Sequence, residues 1–261
     1  MPGNLAKLRS EVELALTGCV TPFDYSHREI AETVSSGIPE IDSLTGGLPR
    51  GGLTEICGPP SSGRSSFLAS LLASRTAHAD VCALVDGCDS FDPQSASAAG
   101  VRLKRLLWTR CRNINQALRA TDLLLQGRGF GLVALDLSGI APRLVRNVPL
   151  NVWFRFRRVI EGTPTILILL EQSSNAKTCA SLVLQLRAQA THWMTTLPEP
   201  AGHLHPSARF LGGSKMRAET LRSRVKRVIE FSTPGSNSAS GIFQTKTPWS
   251  IPQPETKSPS E

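Results

Sequence analysis

Apolar residues along the chain fall into two rhythms. Near-continuous apolar runs occupy residues 53–57, 81–86, 131–137 and 164–171, with a weaker one at 106–110. Runs of this length, bounded by Gly, Pro and Asp, predict strands buried on both faces. Between them, residues 65–75, 114–125 and 149–161 carry apolar positions at three- and four-residue intervals and predict helices. Short buried strands alternating with helices predict an α/β fold, a mostly parallel central sheet flanked by helices. Two late stretches, 185–194 and 218–229, read as further strands or a short helix.

The two ends have a different character. Leu5, Leu8, Val12 and Leu16 are spaced three, four and four residues apart, on one face of a helix of roughly three turns. Such a helix either caps its own domain or docks on a neighbouring subunit. From Ser232 onward Ser, Thr and Pro dominate, with prolines at Pro234, Pro248, Pro252, Pro254 and Pro259. That composition buries too little apolar surface to offset the entropy of ordering, so a disordered tail is expected. Trp249 stands out there as an aromatic suited to anchoring a partner. The expected organisation is an N-terminal helical segment over 1–32, a core over 33–231 and a disordered tail over 232–261.

Composition narrows the functional classes. The 261 residues include 29 Lys and Arg against 21 Asp and Glu, a formal net charge of +8. Of those 29 bases 22 are arginine, the side chain best shaped for bidentate phosphate contact. An acidic partner such as nucleic acid is favoured, the alternative being an ordinary solvated basic face. No window approaches the roughly 18 uninterrupted apolar residues of a membrane span. Residues 1–10 lack a hydrophobic signal core, so a cytoplasmic protein without membrane contact is expected. The six cysteines are scattered with no Cys-x-x-Cys, which reads as reduced core thiols rather than zinc ligands or disulfides. His203 and His205 lack a third ligand at metal spacing and read as loop histidines.

The sharpest chemical signal is Gly58-Pro59-Pro60-Ser61-Ser62-Gly63-Arg64-Ser65-Ser66. It fits G-x-x-x-x-G-K-[ST] everywhere except at the lysine, where Arg64 stands. Gly58 and Gly63 permit a tight loop whose backbone N–H groups turn inward and form an anion nest opening into a helix N-terminus. A cation at position 64 reaches outer phosphates, and the Ser65 hydroxyl suits Mg²⁺. Arginine is planar, bulkier and more weakly hydrated than lysine, so binding is expected to survive better than hydrolysis.

The residues around this loop resemble the RecA-type recombinase family. Val34-Ser-Ser-Gly-Ile-Pro-Glu-Ile-Asp42, Gly46-Gly-Leu-Pro-Arg-Gly51, Val85-Asp86, Phe91-Asp92-Pro93 and Gly100-Val101 follow its order and spacing. Asp136 and Glu171-Gln172 extend the match more loosely. The resemblance implies ATP and Mg²⁺ as cofactors, with Gly58 through Ser66 around the phosphates and Asp92 near the adenine. It implies Asp136 as the second-shell partner of Mg²⁺. It also implies Gln172 as the residue that senses the γ-phosphate and couples it to DNA binding.

The departures are equally informative. Where the family has a glutamate that activates water, this chain has Cys88, following Asp86 and Gly87. A thiol is no substitute for a carboxylate base, and Asp89 is the sequence-near candidate to replace it. Ser95 stands near the place of the adenine-stacking aromatic, and the family's long DNA-binding loop after Gln172 is shortened. A RecA-like core with a degraded catalytic centre is similar to a narrower group, the ImuA-type accessory proteins of damage-induced translesion synthesis. The segments Trp153-Phe-Arg-Phe-Arg-Arg158 and Leu221-Arg-Ser-Arg224 also look similar to that group. This resemblance implies error-prone and Y-family-like DNA polymerases as partners.

Two basic clusters complete the picture. Arg155, Arg157 and Arg158 accompany Trp153, Phe154 and Phe156 on a predicted helix. Arg155 and Arg158 share one side there, and Trp153 and Phe156 another. Lys215, Arg217, Arg222, Arg224, Lys226 and Arg227 form a denser cluster suited to nucleic acid or an acidic protein surface. Three functions stay open at this point. The first is a repair accessory with weak or no ATP hydrolysis. The second is an active DNA-dependent ATPase and recombinase that binds single-stranded DNA as a homo-oligomer. The third is an interaction adaptor that binds no nucleotide.

Overall fold

The computed structural model describes residues 32–194, 210–224 and 240–246. The helix expected at 4–16 lies outside the described residues, as do His203, His205, Lys226, Arg227 and Trp249.

Turn-rich sequence opens the described core. Strand β1 (Thr33–Val34) pairs antiparallel with β2 (Leu48–Pro49), and helix α1 (Pro39–Thr45) lies between them. Asp42 holds this entry together by accepting from Ser36 N at 2.8 Å and Ser35 Oγ at 2.6 Å.

The predicted alternation follows. Strand β3 (Leu53–Cys57) leads into helix α2 (Arg64–Ala77), and β4 (Cys82–Asp86) into the short α3 (Pro93–Ala98). Next come β5 (Leu106–Arg110), α4 (Ile114–Gly127), β6 (Leu132–Asp136), α5 (Pro142–Arg146), α6 (Leu150–Ile160) and β7 (Ile166–Glu171). A 3₁₀ turn at Lys177–Cys179 introduces β8 (Leu182–Met194), followed by β9 (Phe210–Ser223) and β10 (Ser240–Lys246).

These strands form one eight-stranded sheet in the order β10-β9-β8-β3-β7-β6-β4-β5. From β8 to β5 every neighbouring pair is parallel, whereas β8-β9-β10 is an antiparallel wing. Because β3, β4, β6 and β7 are buried throughout, their sequences need no polar alternation.

Two apolar layers sandwich the sheet. One gathers Phe67, Leu71 and Leu72 of α2 with Ile41 of α1, Leu186, Met216 and Phe243. The other gathers Ala117 and Leu125 of α4 with Trp153, Phe156 and Ile160 of α6. Trp153 and Phe156 meet edge to face at 5.9 Å between centroids, as their shared helical side requires.

Of the ambiguous late stretches, 185–194 and 218–223 resolve as strands, while 225–229 lie outside the described residues; one expectation needs correcting. Residues 240–246, within the tail expected to be disordered over 232–261, form β10 against the edge of β9. Average composition hid this strand. Phe243 drops into the α2 layer beside Met216, and β9 supplies the ladder that local sequence does not encode. Among the described residues no helix is long and apolar enough to cross a membrane.

Candidate functional site: a phosphate loop and a basic sheet face

Strand β3 stops at Cys57 and the chain turns sharply at the carboxyl ends of the parallel strands. Gly58 N donates to Glu171 O at 3.3 Å, which ties the loop to the end of β7. No side chain larger than hydrogen fits at Gly58. A Cβ there would lie 2.3 Å from Leu186 O and 2.6 Å from Ser62 Oγ. Ser61 adopts φ 60° and Gly63 φ 89°, so the chain reverses hand before entering α2.

Gly63 is the N-cap and provides no side-chain cap for α2. The leading N–H groups of that helix, from Arg64 to Ser66, are therefore orphan donors aimed at the loop mouth. Ser62 Oγ is buried without a hydrogen-bond partner. A close-packed glycine loop, uncapped amides and an orphaned buried hydroxyl together fit an anion such as a nucleotide phosphate. Ser65 is exposed at the head of α2, and Asp136 ends β6 on the same edge of the sheet. These two residues would hold Mg²⁺.

Arg64 departs from the expected outward reach. It is only 7% exposed, and its Nη1 donates to Glu171 O at 2.5 Å, back into the sheet end. Burial pushes its guanidinium below the ordinary value, opposed first by the charge of Asp136. Burial pushes the Asp136 carboxyl up, and hydrogen bonds from Ser138 pull it back; Ser138 N donates to its Oδ1 at 2.8 Å.

The position of the water-activating glutamate is held by a neutral thiol. Cys88 Sγ accepts from Gly139 N at 2.9 Å and faces Asp136 O at 3.6 Å. Burial first, then the nearby Asp136, pushes the Cys88 thiol up to about 11. At neutral pH it keeps its proton, so it is not a base for water.

Asp86 is occupied structurally. It accepts from Cys88 N, Ser90 N, Phe91 N and Trp108 Nε1, at 3.0 to 3.3 Å. Asp89 points elsewhere and forms a two-pronged pair with Arg110, with both oxygens at 2.6 Å. Its hydrogen bonds to Arg110 lower its pKa, which weakens it further as a base.

Asp92 caps α3, accepting from Gln94 N at 3.3 Å and Ser95 N at 2.9 Å. Ser95 Oγ also donates to Asp92 at 2.5 Å. Gln172 reaches across from β7, and its Nε2 donates to Ser138 O at 3.0 Å. The loop ends after β6 and β7 are thereby linked.

A buried carboxylate pair lies beneath this edge. Glu55 on β3 accepts from Ser174 Oγ at 2.6 Å, Asn175 N at 2.5 Å and Ala176 N at 3.0 Å. Beside it, Glu171 accepts from Asn175 Nδ2 through one oxygen, while its Oε1 has no partner. Burial and the adjacent Glu55 push the Glu171 carboxyl up to about 9, so it is protonated at neutral pH. Glu55 pins residues 174–176 just after β7, and its place inside an apolar strand was the one available clue.

The antiparallel wing assembles the basic cluster. Register places Arg187 of β8 beside Arg217 of β9, and Ala190 beside Lys215. Strict alternation would put Arg222 and Arg224 on the opposite face from Lys215 and Arg217. A bulge at Leu221 restores the phase, because Val183 pairs with Arg222 and Leu184 with Thr220. Arg222 donates to Lys177 O, and Arg224 Nη2 to Thr178 O at 2.9 Å.

Arg187, Lys215, Arg217, Arg222 and Arg224 thus gather on one exposed side, interrupted only by Glu219 on the described strands. Arg187 escaped sequence reading because the period of 185–194 was undecided. The opposite face of the wing, with Leu186, Met216 and Ala218, lies in the core.

Comparison with known proteins supports the geometry. The RecA N-terminal domain model matches residues 12–145, about half of the chain. The chain is 37% identical over 115 residues to Protein RecA of Rhizobium leguminosarum bv. viciae, covering 43% of this chain and 33% of that protein. It is 35% identical over 115 residues to Protein RecA of Brucella canis and of Brucella suis, covering 43% of this chain and 32% of each. The chain therefore spans about a third of the length of these relatives. With the match over residues 12–145 and the parallel sheet bearing a glycine loop at its carboxyl edge, the chain belongs to the RecA N-terminal domain family.

Proposed function

We propose that this protein is a RecA-like accessory factor of DNA repair that binds ATP with Mg²⁺ weakly and hydrolyses it slowly or not at all. In this reading it acts in the cytoplasm during SOS-induced translesion synthesis, beside an error-prone polymerase and a Y-family-like partner. The observation that carries it is the contrast within one loop region. The anion cradle of residues 58–66 is intact, while Cys88 is a neutral thiol where a base is needed. Bound ATP–Mg²⁺ would supply charge and order to the loop, held by the amides of 63–66, Ser62, Ser65 and Asp136.

Single-stranded DNA is the proposed polyanion for the exposed face of the wing. Arg187, Lys215, Arg217, Arg222 and Arg224 present five cations to one side, and Lys226 and Arg227 follow in sequence. Removing one phosphate contact lowers the salt dependence of single-strand binding by about 0.7 in log–log slope. Homo-oligomerisation belongs to the same proposal, as does a role for Gln172 in passing loop occupancy to residues 173–176.

The inward turn of Arg64 favours one further reading, an adaptor whose loop takes no nucleotide. A turnover assay with and without single-stranded DNA, paired with titration of a fluorescent ATP analogue, separates the two. Saturable binding with negligible turnover is the expected result. Vigorous DNA-stimulated hydrolysis abolished by Arg64→Ala would overturn the accessory reading, and hydrolysis lost on Asp89→Asn would assign the base. Absence of saturable binding at millimolar nucleotide would leave the adaptor reading.

A further inference from the structure

Helix α6 has an outward face that neither the phosphate loop nor the basic wing uses. At 100° per residue its inward side carries Trp153, Phe156 and Ile160, all buried. The opposite side carries Asn151, Phe154, Arg155 and Arg158. A polar surface is expected there, yet Phe154 is 46% exposed and Leu150, one turn earlier, 36%. An open depression of about 660 Å³ adjoins Phe154, lined also by Asn151, Arg155, Arg157, Arg158 and Glu161.

The charges around this apolar pair are unevenly committed. Arg155 pairs with Asp122 of α4, while Arg158 has no ion partner among the described residues. An exposed aromatic between guanidinium groups is the composition of an interface centre, where aromatic and Arg side chains dominate binding. Arg157 is likewise outside any ion pair among the described residues, and two uncommitted cations beside Glu161 are too few for a phosphate backbone, which needs several cations in a row. They match one or two carboxylates.

We propose that this face docks an acidic amphipathic helix of a partner protein. Apolar side chains one turn apart would cover Phe154 and Leu150, and a Glu or Asp would pair with Arg158. Helices recognise such a groove through i, i+4 anchors, and the flanking charge fixes orientation. The surface is separate from both elements of the proposed function and does not require either.

The test uses the full chain without added nucleotide, each probe titrated separately. The probe is a fluorescein-labelled helical peptide with Leu at i and i+4 and Glu at i+3 and i+7. A second peptide carries Lys in place of Glu, and a third probe is a labelled oligo-dT. Anisotropy should report preference for the acidic peptide, weakened at high salt. Phe154→Ala should lower that affinity by at least about ten-fold. Arg158→Glu should reverse the preference toward the lysine peptide, which a merely structural role would not produce. Phe154 and Arg158 are exposed, so unchanged thermal melts are expected for both variants. Equal binding of both peptides, no binding, or indifference to both substitutions would overturn the proposal. Loss of oligo-dT binding on Phe154→Ala would reassign the face to nucleic acid.

Discussion

The parallel half of the sheet and its antiparallel wing handle burial in opposite ways. In the parallel half, β3, β4, β6 and β7 are covered on both faces, and apart from Thr54 and Glu55 within β3 their polar groups sit where the strands end. Chemistry is therefore confined to an edge, where backbone amides and a few carboxylates meet. In the wing only one face is covered, so side chains themselves, one every second residue, form a broad charged surface. An edge selects a small ligand by shape, whereas a face accumulates charge for an extended one.

The largest expected effect strikes the edge. Gly58→Ala drives a Cβ to within 2.3 Å of a backbone oxygen, so loop closure should fail. Fluorescent ATP titration should show binding reduced beyond measurement while circular dichroism keeps its α/β signature. If affinity survives, the edge is not the anion site.

Core support comes next. Trp153→Ala removes a 1%-exposed ring beneath both β6 and β7 and should cost about 3–5 kcal/mol in chemical denaturation. A smaller loss would mean that α6 is not bonded tightly to the parallel half.

A third effect depends on pH. Glu171 has its folded pKa raised to about 9, so the native state holds a proton that the unfolded chain releases near pH 4.5. Stability should therefore be greatest below that lower value and fall as pH rises toward 9. The slope is at most about 1.4 kcal/mol per pH unit. Asp136, also raised by burial, adds a term of the same sign. Glu171→Gln should flatten the decline in melting temperature between pH 5 and 9. An unchanged profile would place the proton elsewhere.

The smallest effect belongs to the wing. Arg217→Ala should leave melting and nucleotide titration unchanged. It should lower the log–log salt slope of oligonucleotide binding by about 0.7. A slope that does not change would remove Arg217 from the nucleic-acid face.

Legibility in the sequence followed the same division. Strands of the parallel half announce themselves because burial on both faces leaves unbroken apolar runs, and the glycine loop is a local motif. Trp153 and Phe156 were readable from helical period alone. The wing was harder, since its meaning is set by pairing. Leu221 looks like any strand residue, yet its bulge decides that Arg222 joins Arg217 rather than facing the core. Strand β10 was invisible because Ile242 and Phe243 sit among Ser, Thr and Gly and acquire a ladder only from β9. Glu55 was overlooked because its partners, Ser174 to Ala176, are about 120 residues away in sequence. The turn of Arg64 toward Glu171 O is likewise a tertiary choice, open to a long side chain and written nowhere in its neighbours.

Beside the β3–β8 pairing, a close approach at the cradle joins the two halves. A Cβ on Gly63 would meet Met216 Cγ at 2.9 Å, so the floor of the cradle rests on the strand residue between Lys215 and Arg217. Like a single membrane shared by two drums, that thioether feels displacement from either side. Were a bound anion to shift this thioether, any change in affinity at the outward cations would run equally in reverse.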